Sequence, residues 1–537
     1  MSINLQQHIY TIISQSGGLG FLAVSVKSTA SNSVELSFSS LQTAVNLSHI
    51  FFASDISLYL GIIAVILTLG VFYKTTQTAV LAMYLLKVSA VFVYLSVILN
   101  LIGLYSGFEF LASHNILLFN GTYSFTMFSQ IFKVLTLLVA AALYALFPHI
   151  SASNMRLLEL PLLLQITLAL CITLLSSSNL ALMLLSLEGF SLILYIMTAL
   201  GRTYGGITAS VKYFTFGTLG SIFLFWGAVH FYALSPSLSF EVINAMLQGY
   251  YSEDESFAKS LDFATSAFTL GFMLKLGAAP THQWVADVYS GVHMYITAFF
   301  SIFVKFVLFT VFISIALNFN CDTLLNQFII FSLVIGCFMS INQTEIKRLL
   351  AYSSVVHVAF LFMGDATSSL VYLLTYVITS IVLFSVLLNA NLAGRELIYL
   401  NDLKFLRSSG SFNVFCIVTA LASSAGLPPF AGFYGKFLVW SSLIEDIYLS
   451  GSISSYLILF LSIAVSLVTI YYYMRVAAYL FIGQDAETKG AFIDLKLNQD
   501  FHSIVLSTQG LLITLLIFWS FVQPYALSLV QLALLSV

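Results

Sequence analysis

The chain has 537 residues, of which 60% are hydrophobic and only 8% are charged, and its mean hydropathy is +1.00. No soluble core could cover this much apolar surface, so the composition excludes a soluble protein and indicates an integral membrane protein. The net charge of −3 leaves no basic face for a nucleic acid. We therefore expect membrane lipids, and no nucleic acid, among the partners of the chain.

The first 48 residues are only weakly apolar and contain Lys27 as their only lysine or arginine. They have neither the arginine content of a transit peptide nor the basic start of a signal peptide. We interpret residues 1–48 as an N-terminal interfacial segment.

Apolar runs long enough to cross a bilayer as helices recur along nearly all of the remaining chain. A spanning helix needs about 20 residues, and the pattern predicts about fourteen spans. In chain order they are residues 57–73, 79–105, 123–147, 157–176, 178–200, 208–233, 261–282, 294–318, 324–341, 347–363, 367–389, 412–442, 452–480 and 504–530. Span twelve is long because Gly426-Leu427-Pro428-Pro429 interrupts it.

Lysine and arginine concentrate in the segments that follow odd-numbered spans. Eleven lie in these segments or towards the adjoining ends of spans, namely Lys74, Arg156, Arg202, Lys347, Arg348, Arg395, Lys404, Arg407, Arg475, Lys489 and Lys496. Only Lys27 and Lys259 lie in the segments on the other side. Because lysine and arginine mark the matrix or cytoplasmic side, we expect both termini on the opposite side.

The remaining six are all lysines, and they lie inside predicted spans. They are Lys87, Lys133, Lys212, Lys275, Lys305 and Lys436. An ammonium group at bilayer depth is costly, so it indicates a polar interior, a charged partner or a proton site. Lysine can release its proton in a protein, whereas arginine cannot. With Glu188 as the main carboxylate at comparable depth, these lysines form a candidate array for proton transfer.

Span seven is interrupted directly after Lys275. Gly277 and Pro280 break the helix, and His282 and Asp287 follow before the apolar run resumes. Irregular backbone at membrane depth is tolerated only when it is buried in protein or lines a cavity. Broken helices beside ionisable groups are typical of transport sites.

The chain carries no motif for a metal or a redox cofactor. Its four cysteines lack the spacing of a zinc or redox site, and they are Cys171, Cys321, Cys337 and Cys416. Three histidines share neither a helix face nor a ligand spacing, namely His230, His282 and His293. The glycines of residues 17–20 lack the strand–turn–helix context of a dinucleotide loop. We therefore expect no cofactor and no metal in this chain.

Six short motifs occur in a fixed order between about residues 150 and 480. They are Glu188-x-x-Ser191, Lys212, KLGAAPTHQWVADVY from Lys275, TAFFSIFVK from Thr297, QTEIKRLLAYSSVVH from Gln343 and GLPPFAGFYGKF from Gly426. In this order and spacing they resemble the antiporter-like membrane subunits of respiratory complex I, NADH-ubiquinone oxidoreductase, and among these the chain 2 branch.

The resemblance implies an all-α membrane fold with two inverted five-helix repeats, formed by spans four to eight and nine to thirteen, with spans seven and twelve broken. The implied units are the interfacial segment 1–48, three N-terminal transmembrane helices in 49–147, the repeats in 157–318 and 324–480, and a C-terminal transmembrane helix in 504–537.

The resemblance also implies a function, which is proton translocation coupled to NADH:ubiquinone electron transfer. Carried over by position, the proton-transfer residues are Glu188, Lys212, Lys275, Lys305 and Lys436. Lys212 is expected to pair with Glu188. His357 could extend the relay, or it could be a histidine satisfied by a neighbouring helix. Structural roles are expected for Lys87 and Lys133, which lie outside the repeats.

NADH, FMN, iron–sulfur clusters and ubiquinone would then bind other subunits, and the partners would be further membrane-arm subunits, including antiporter-like ones. A cation/proton antiporter subunit and an inactive scaffold subunit of the same complex remain alternatives. The aromatic-rich composition favours the mitochondrial inner membrane, with both termini on the intermembrane-space side. A bacterial plasma membrane is the alternative.

Overall fold

The computed structural model describes residues 25–28, 38–72, 78–146, 158–201, 203–249, 255–316, 322–390, 397–409, 411–481 and 499–535. Most of the predicted interfacial segment, including the glycines of residues 17–20, lies outside this described part. So does Cys321, whereas Cys171, Cys337 and Cys416 are buried free thiols. The described residues are almost entirely helical, with one small sheet.

The N-terminal part consists of three helices and an antiparallel three-stranded sheet. The helices are α1 (Phe38–Phe72), α2 (Thr78–Ser113) and α3 (Met127–Leu146), and the strands are β1 (Ser25–Ser28), β2 (His114–Leu118) and β3 (Tyr123–Phe125). Strand β2 pairs with both β1 and β3. Sequence analysis missed the hairpin between α2 and α3, and α1 begins inside the segment that was expected to be interfacial.

The middle of the chain contains the first broken helix. Its elements are α4 (Leu160–Leu175), α5 (Leu180–Ala199), α6 (Tyr204–Leu234), the short α7 (Phe240–Gly249), α8 (Glu255–Leu276), α9 (Gln283–Gly291), α10 (Met294–Phe299), a π-helical turn (Phe300–Val304) and α11 (Lys305–Ala316). The interruption that the sequence predicts in span seven separates α8 from α9.

The second broken helix lies in the C-terminal part. The elements here are α12 (Asp322–Ile341), α13 (Ile346–Met363), α14 (Ala366–Ala390), a 3-10 helix (Leu400–Ser409), α15 (Ser411–Ala425), α16 (Ala431–Ser450), α17 (Ile453–Phe481), α18 (Gln499–Ile517) and α19 (Trp519–Leu534). The predicted break in span twelve separates α15 from α16.

Ten of the described helical segments are long and apolar enough to cross a membrane, and eleven if the sharply bent pair Thr508–Ile517 and Trp519–Leu534 forms one span. The chain is therefore a multi-pass membrane protein. Helices α4 and α15 are apolar but shorter than a full span. The predicted number of fourteen spans stays a prediction.

The bundle is built around the most apolar helix. The segment Met294–Ile315 is completely enclosed by protein, and α13 and α14 are mostly enclosed. In contrast, α1, α2, α6, α12 and α17 bury only 33–39% of their most apolar stretches and form the rim. Lys305 therefore lies on the helix that is most remote from lipid and water.

A buried ion pair joins α1 to α3 and to the hairpin. Lys133 Nζ lies 3.0 Å from Asp55 Oδ2, and the Tyr123 hydroxyl donates to the same oxygen at 2.5 Å. The side chains of Lys133 and Asp55 are 0% and 3% exposed. Lys87, by contrast, is exposed. Sequence analysis expected a structural role for Lys133 but did not identify Asp55 as its partner.

This geometry predicts strong non-additivity between Lys133 and Asp55. Lys133→Met leaves the Asp55 carboxylate uncompensated in a dry site, which costs about 3–5 kcal/mol, whereas Lys133→Met with Asp55→Asn leaves no buried charge. We expect the single variant to lower the unfolding temperature of the purified protein and the double variant to recover most of the loss. A double variant that shows the sum of the two single losses would mean that the pair contributes no coupling energy.

Candidate functional site: a buried polar axis

Both broken helices stop at a glycine cap, and a lysine lies at each stop. Helix α8 is followed by Gly277 (φ 74°) and α15 by Gly426 (φ 87°). In both caps the next amide N–H donates to the carbonyl five residues back, at 3.1 and 3.0 Å, as in a Schellman motif. A helix C-terminus attracts cations. Lys275 lies in the last turn of α8, and Lys436 Nζ donates to the carbonyl of Ala425, the last residue of α15, at 2.8 Å.

Glu188 is the carboxylate partner of Lys275. The Lys275 Nζ and Glu188 Oε1 atoms are 2.8 Å apart, and the two side chains are 5% and 23% exposed. The Ser191 hydroxyl donates to the other carboxylate oxygen at 3.5 Å. Gly220 on α6 leaves room for the lysine, because a Cβ atom there would lie 3.2 Å from Lys275 Cγ. The break in the helix therefore carries a neutral, mostly buried charge pair.

The expected pair between Lys212 and Glu188 is not what the structure shows. Lys212 forms an ion pair with Asp287 on α9. Glu188 bonds to Lys275 instead, so each member of the expected pair has a different charged partner.

Lys305 projects from the centre of the bundle at the end of a π-helical turn. The turn Phe300–Val304 immediately precedes it, and such turns are frequent at functional sites. Lys305 is buried, and its Nζ donates to the carbonyl oxygen of Ser354 on α13 at 3.1 Å. No carboxylate forms an ion pair with Lys305 among the described residues.

His357 on α13 makes hydrogen bonds with two tyrosine hydroxyl groups. Its Nδ1 lies 2.7 Å from the Tyr372 hydroxyl and its Nε2 lies 3.1 Å from the Tyr473 hydroxyl. A neutral imidazole donates at one nitrogen and accepts at the other, so either tautomer fits this arrangement. A cavity of about 30 Å³ lies beside His357 and is lined by polar side chains that include Ser354 and Tyr473. That volume has room for one or two waters.

Lys436 lies at the far end of the polar axis, which is the series of groups from Glu188 through Lys275, Lys305 and His357. Besides Ala425, its Nζ contacts the Thr469 hydroxyl at 3.3 Å and lies 5.2 Å from the centre of the Phe360 ring. A second cavity of about 10 Å³ is lined by both His357 and Lys436, which is the minimum for a single water. Lys305, His357 and Lys436 are thus linked by hydrogen-bonding groups and water-sized spaces.

The two halves of the axis meet at α11. A cavity beside Lys275 extends to Leu308, which lies one turn after Lys305 on that helix. All six residues that the sequence singled out therefore lie in the described part of the bundle. Five of them form the polar axis, in the order Glu188, Lys275, Lys305, His357 and Lys436. Lys212 is not part of this axis and pairs with Asp287.

Sequence reasoning missed the tyrosines and Asp287. Tyr372, Tyr376 and Tyr473 line the cavities around His357, yet nothing distinguishes them in a sequence with 28 tyrosines. The spacing of Tyr372 and Tyr376, which places both on one helix face, was the available signal. Asp287 was visible after the break, but its partner was not.

The sequence pattern of one family, described as NADH:quinone oxidoreductase/Mrp antiporter, TM, matches residues 177–469, which is more than half of the chain. The chain belongs to this family. NADH-quinone oxidoreductase subunit N of Paramagnetospirillum magneticum is 29% identical over 79% of this chain and 86% of its own length. Subunit N 2 of Thermodesulfovibrio yellowstonii is 30% identical over 66% of this chain and 77% of its own length.

Solved structures agree with the family assignment. A chain of respiratory complex I from Thermus thermophilus is 26% identical, with a TM-score of 0.70 over 88% of this chain and 98% of that chain. A chain of an archaeal membrane-bound sulfane sulfur reductase has a TM-score of 0.74 at 16% identity, over 92% of this chain and 97% of that chain. The second likeness shows the fold alone. The chain therefore has the antiporter-like membrane fold of the family.

Gly426 makes a test of the polar axis possible. A Cβ atom at Gly426 would lie 2.9 Å from Lys436 Cδ and 3.1 Å from its Nζ, whereas one at Gly451 would meet nothing within 4 Å. Both glycines have positive φ, so alanine at either costs about 1–2 kcal/mol of backbone strain. We expect Gly426→Ala to impair proton pumping by the assembled protein several-fold, because only it displaces Lys436. Equal pumping by Gly426→Ala and Gly451→Ala would show that the position of Lys436 is not critical.

Proposed function

We propose that this chain is a proton-translocating membrane subunit of respiratory complex I. The observation that carries the proposal is the series of protonatable groups from Glu188, which is 23% exposed, to the buried lysines Lys275, Lys305 and Lys436 inside a predominantly apolar bundle. Membership of the NADH:quinone oxidoreductase/Mrp antiporter family and the relatives named subunit N support the same function.

In this proposal a proton moves along the polar axis in steps. Lys275 gives its proton towards Lys305, and the negative charge of Glu188 controls whether Lys275 releases that proton. Water in the small cavities and the hydroxyl groups around His357 would carry the proton on to Lys436. Serine and tyrosine hydroxyls both donate and accept, so they can relay a proton without holding a charge.

The chain would act as a subunit of an H⁺-translocating NADH:quinone reductase. NADH, FMN, iron–sulfur clusters and quinone would bind other subunits, and the direct partners would be further membrane-arm subunits, including antiporter-like ones. The solved relatives are chains of multi-subunit membrane complexes, which supports such partners. A cation/proton antiporter subunit is the second candidate, because the family description includes Mrp antiporters. Co-purification with a flavin- and iron–sulfur-containing assembly would distinguish the two.

We also propose the finer architecture of fourteen spans with inverted repeats in residues 157–318 and 324–480. The matching glycine caps after α8 and α15, each with a lysine at the end of a half-helix, support this symmetry. The mitochondrial inner membrane is the proposed location, on the aromatic content of 15%. A bacterial plasma membrane is the alternative, and the relatives reported above include bacterial proteins.

Topology can be tested directly. Arg475 on α17 donates to the carbonyl oxygens of Ile341 at 2.5 Å and of Gln343 at 3.1 Å. Arg475 therefore lies at the same end of the bundle as the basic segment that follows α12, which supports one end of the bundle being rich in lysine and arginine. We expect a cysteine beside Lys404 to react with an impermeant reagent only from the matrix or cytoplasmic side. A cysteine beside Glu253, which lies outside the described residues, should react only from the other side. Labelling of both from one side would contradict the fourteen-span topology.

Lys275 provides the main test of the proposed function. Lys275→Met keeps much of the side-chain volume but cannot bind a proton, so we expect assembly to survive and proton pumping to fall at least tenfold. Lys275→Arg keeps the positive charge, but arginine cannot release its proton, so we expect a similar loss of pumping. Pumping would be measured in proteoliposomes that contain the assembled complex.

Lys87→Met is the matched control for these variants, because Lys87 is an exposed lysine inside a helix but away from the axis. We expect it to pump normally. If Lys275→Arg pumped as well as Lys87→Met, Lys275 would be a structural cation and not a proton carrier.

A further inference from the structure

Tyr195 on α5 is a buried tyrosine whose hydroxyl group is held in a fixed position against α6. The hydroxyl fits into a notch that exists because residue 217 is glycine, since a Cβ atom at Gly217 would overlap the hydroxyl oxygen. The ring is held edge-on by Tyr213 and Phe214, with ring centres 4.9 and 5.6 Å apart. Edge-to-face contacts of this kind favour one orientation of a ring. The notch and the two rings therefore fix where the hydroxyl group lies.

This hydroxyl group borders the water-sized cavity beside Lys275. Tyr195 and Gly217 both line the cavity, whose volume is about 10 Å³, and Lys275 lies in the same wall. Because the hydroxyl is the part of Tyr195 that meets Gly217, it lies at the cavity. Gly220 meets the side chain of Lys275, and residues three apart on a helix are about 5–6 Å from each other. The hydroxyl and Lys275 therefore reach the cavity at neighbouring positions of α6.

The cavity has room for one water, and such a water needs two to four polar partners. The Trp284 indole N–H in the wall is already engaged, because it donates to the carbonyl oxygen of Leu274 at 3.2 Å. The Lys275 ammonium group has three N–H donors, of which one is directed at Glu188. The Tyr195 hydroxyl both donates and accepts. Lys275 and Tyr195 can therefore hold one water between them.

We propose that Tyr195 is a positioning residue for proton release from Lys275, because its fixed hydroxyl orients the water that takes the proton. The inference rests on the proposed function. The Lys275 ammonium group gives a proton to this water, and the water gives one of its own protons on towards Lys305. The water stays neutral, the Tyr195 hydroxyl keeps its own proton, and Lys275 is left as a neutral amine. Leu308 also lines the cavity and lies one turn after Lys305, so the cavity adjoins the helix that carries the next lysine.

A packing role alone explains this hydroxyl group poorly. A phenylalanine ring would make the same edge-on contacts with Tyr213 and Phe214. The oxygen atom adds two costs, because a buried hydroxyl must be hydrogen-bonded and because the glycine that makes room for it is less favourable inside a helix than alanine. A water that bonds both to this oxygen and to Lys275 gives the hydroxyl a role that packing does not.

The test compares Tyr195→Phe with Tyr144→Phe in the assembled complex in proteoliposomes. Tyr144 on α3 is the matched control, because it is also a buried tyrosine and its hydroxyl donates to Gln165 at 3.4 Å, outside the polar axis. We expect Tyr195→Phe to pump several-fold more slowly than Tyr144→Phe. We also expect Tyr195→Phe to show a larger ratio of pumping rates in ordinary and heavy water, because proton transfer from Lys275 then limits the rate. Loss of a packing contact would not raise this isotope ratio.

Equal pumping by Tyr195→Phe and Tyr144→Phe would overturn the inference. Slower pumping by Tyr195→Phe with an unchanged isotope ratio, or its failure to assemble, would also overturn it, because the hydroxyl would then be a structural contact. Lys275→Met separates this inference from the proposed function. If Lys275→Met stops pumping while Tyr195→Phe pumps normally, only the role of Tyr195 is wrong. If Lys275→Met itself pumps normally, the proposed function fails.

Discussion

The cost of placing an ammonium group inside an apolar bundle is the constraint on which this structure depends. Each buried lysine of the axis has an oxygen partner within hydrogen-bonding distance. Lys275 has the Glu188 carboxylate, Lys305 has the Ser354 carbonyl and Lys436 has the Ala425 carbonyl. The Ser354 carbonyl lies inside the continuous helix α13, whereas the carbonyl groups of the last turn of a helix have no partner within that helix. The break after α15 supplies such a carbonyl, and the break after α8 places Lys275 at a helix C-terminus.

The buried lysines fall into two kinds that differ in what proton loss would leave behind. Lys133 and Lys275 are paired with carboxylates, so loss of a proton leaves an unpaired negative charge in a dry site, which is costly. Lys305 and Lys436 have dipole partners, so loss of a proton leaves neutral groups only. At the Glu188 end of the axis, the carboxylate can therefore control whether Lys275 keeps its proton. In the half that contains Lys305 and Lys436, a charge can pass, because no carboxylate holds it.

The sequence was sufficient for the features that depend on local pattern. The helix cores, the breaks after Lys275 and before Lys436, and the buried lysines follow from hydropathy, glycine and proline. Partner choice was not predictable, because it depends on how far one helix is displaced along its neighbour. That displacement places Lys212 opposite Asp287 instead of Glu188. It also brings Asp55 to Lys133, across 78 positions of sequence.

Side-chain direction set a second limit to prediction. Lys347 was counted with the residues of a loop, but in the structure it is buried and bonds to the Val292 carbonyl at the end of α9. Its neighbour Arg348 is partly exposed and pairs with Glu345. Adjacent residues of a helix point about 100° apart, so one faces protein and the other solvent. A count of charges per loop can therefore indicate topology without indicating which charges are in water.

The internal cavities are too small for a continuous chain of water molecules. The spaces beside Lys275, His357 and Lys436 have volumes of about 10, 30 and 10 Å³, so each holds one or two waters at most. A continuous water wire would let protons flow back down their gradient, and separate single-water sites do not form one. Transfer between them then requires side chains such as Lys275 and His357 to move or to exchange partners. In a pump, that requirement links each proton step to a change in the neighbouring charges, which is how the Glu188–Lys275 pair can control the flow.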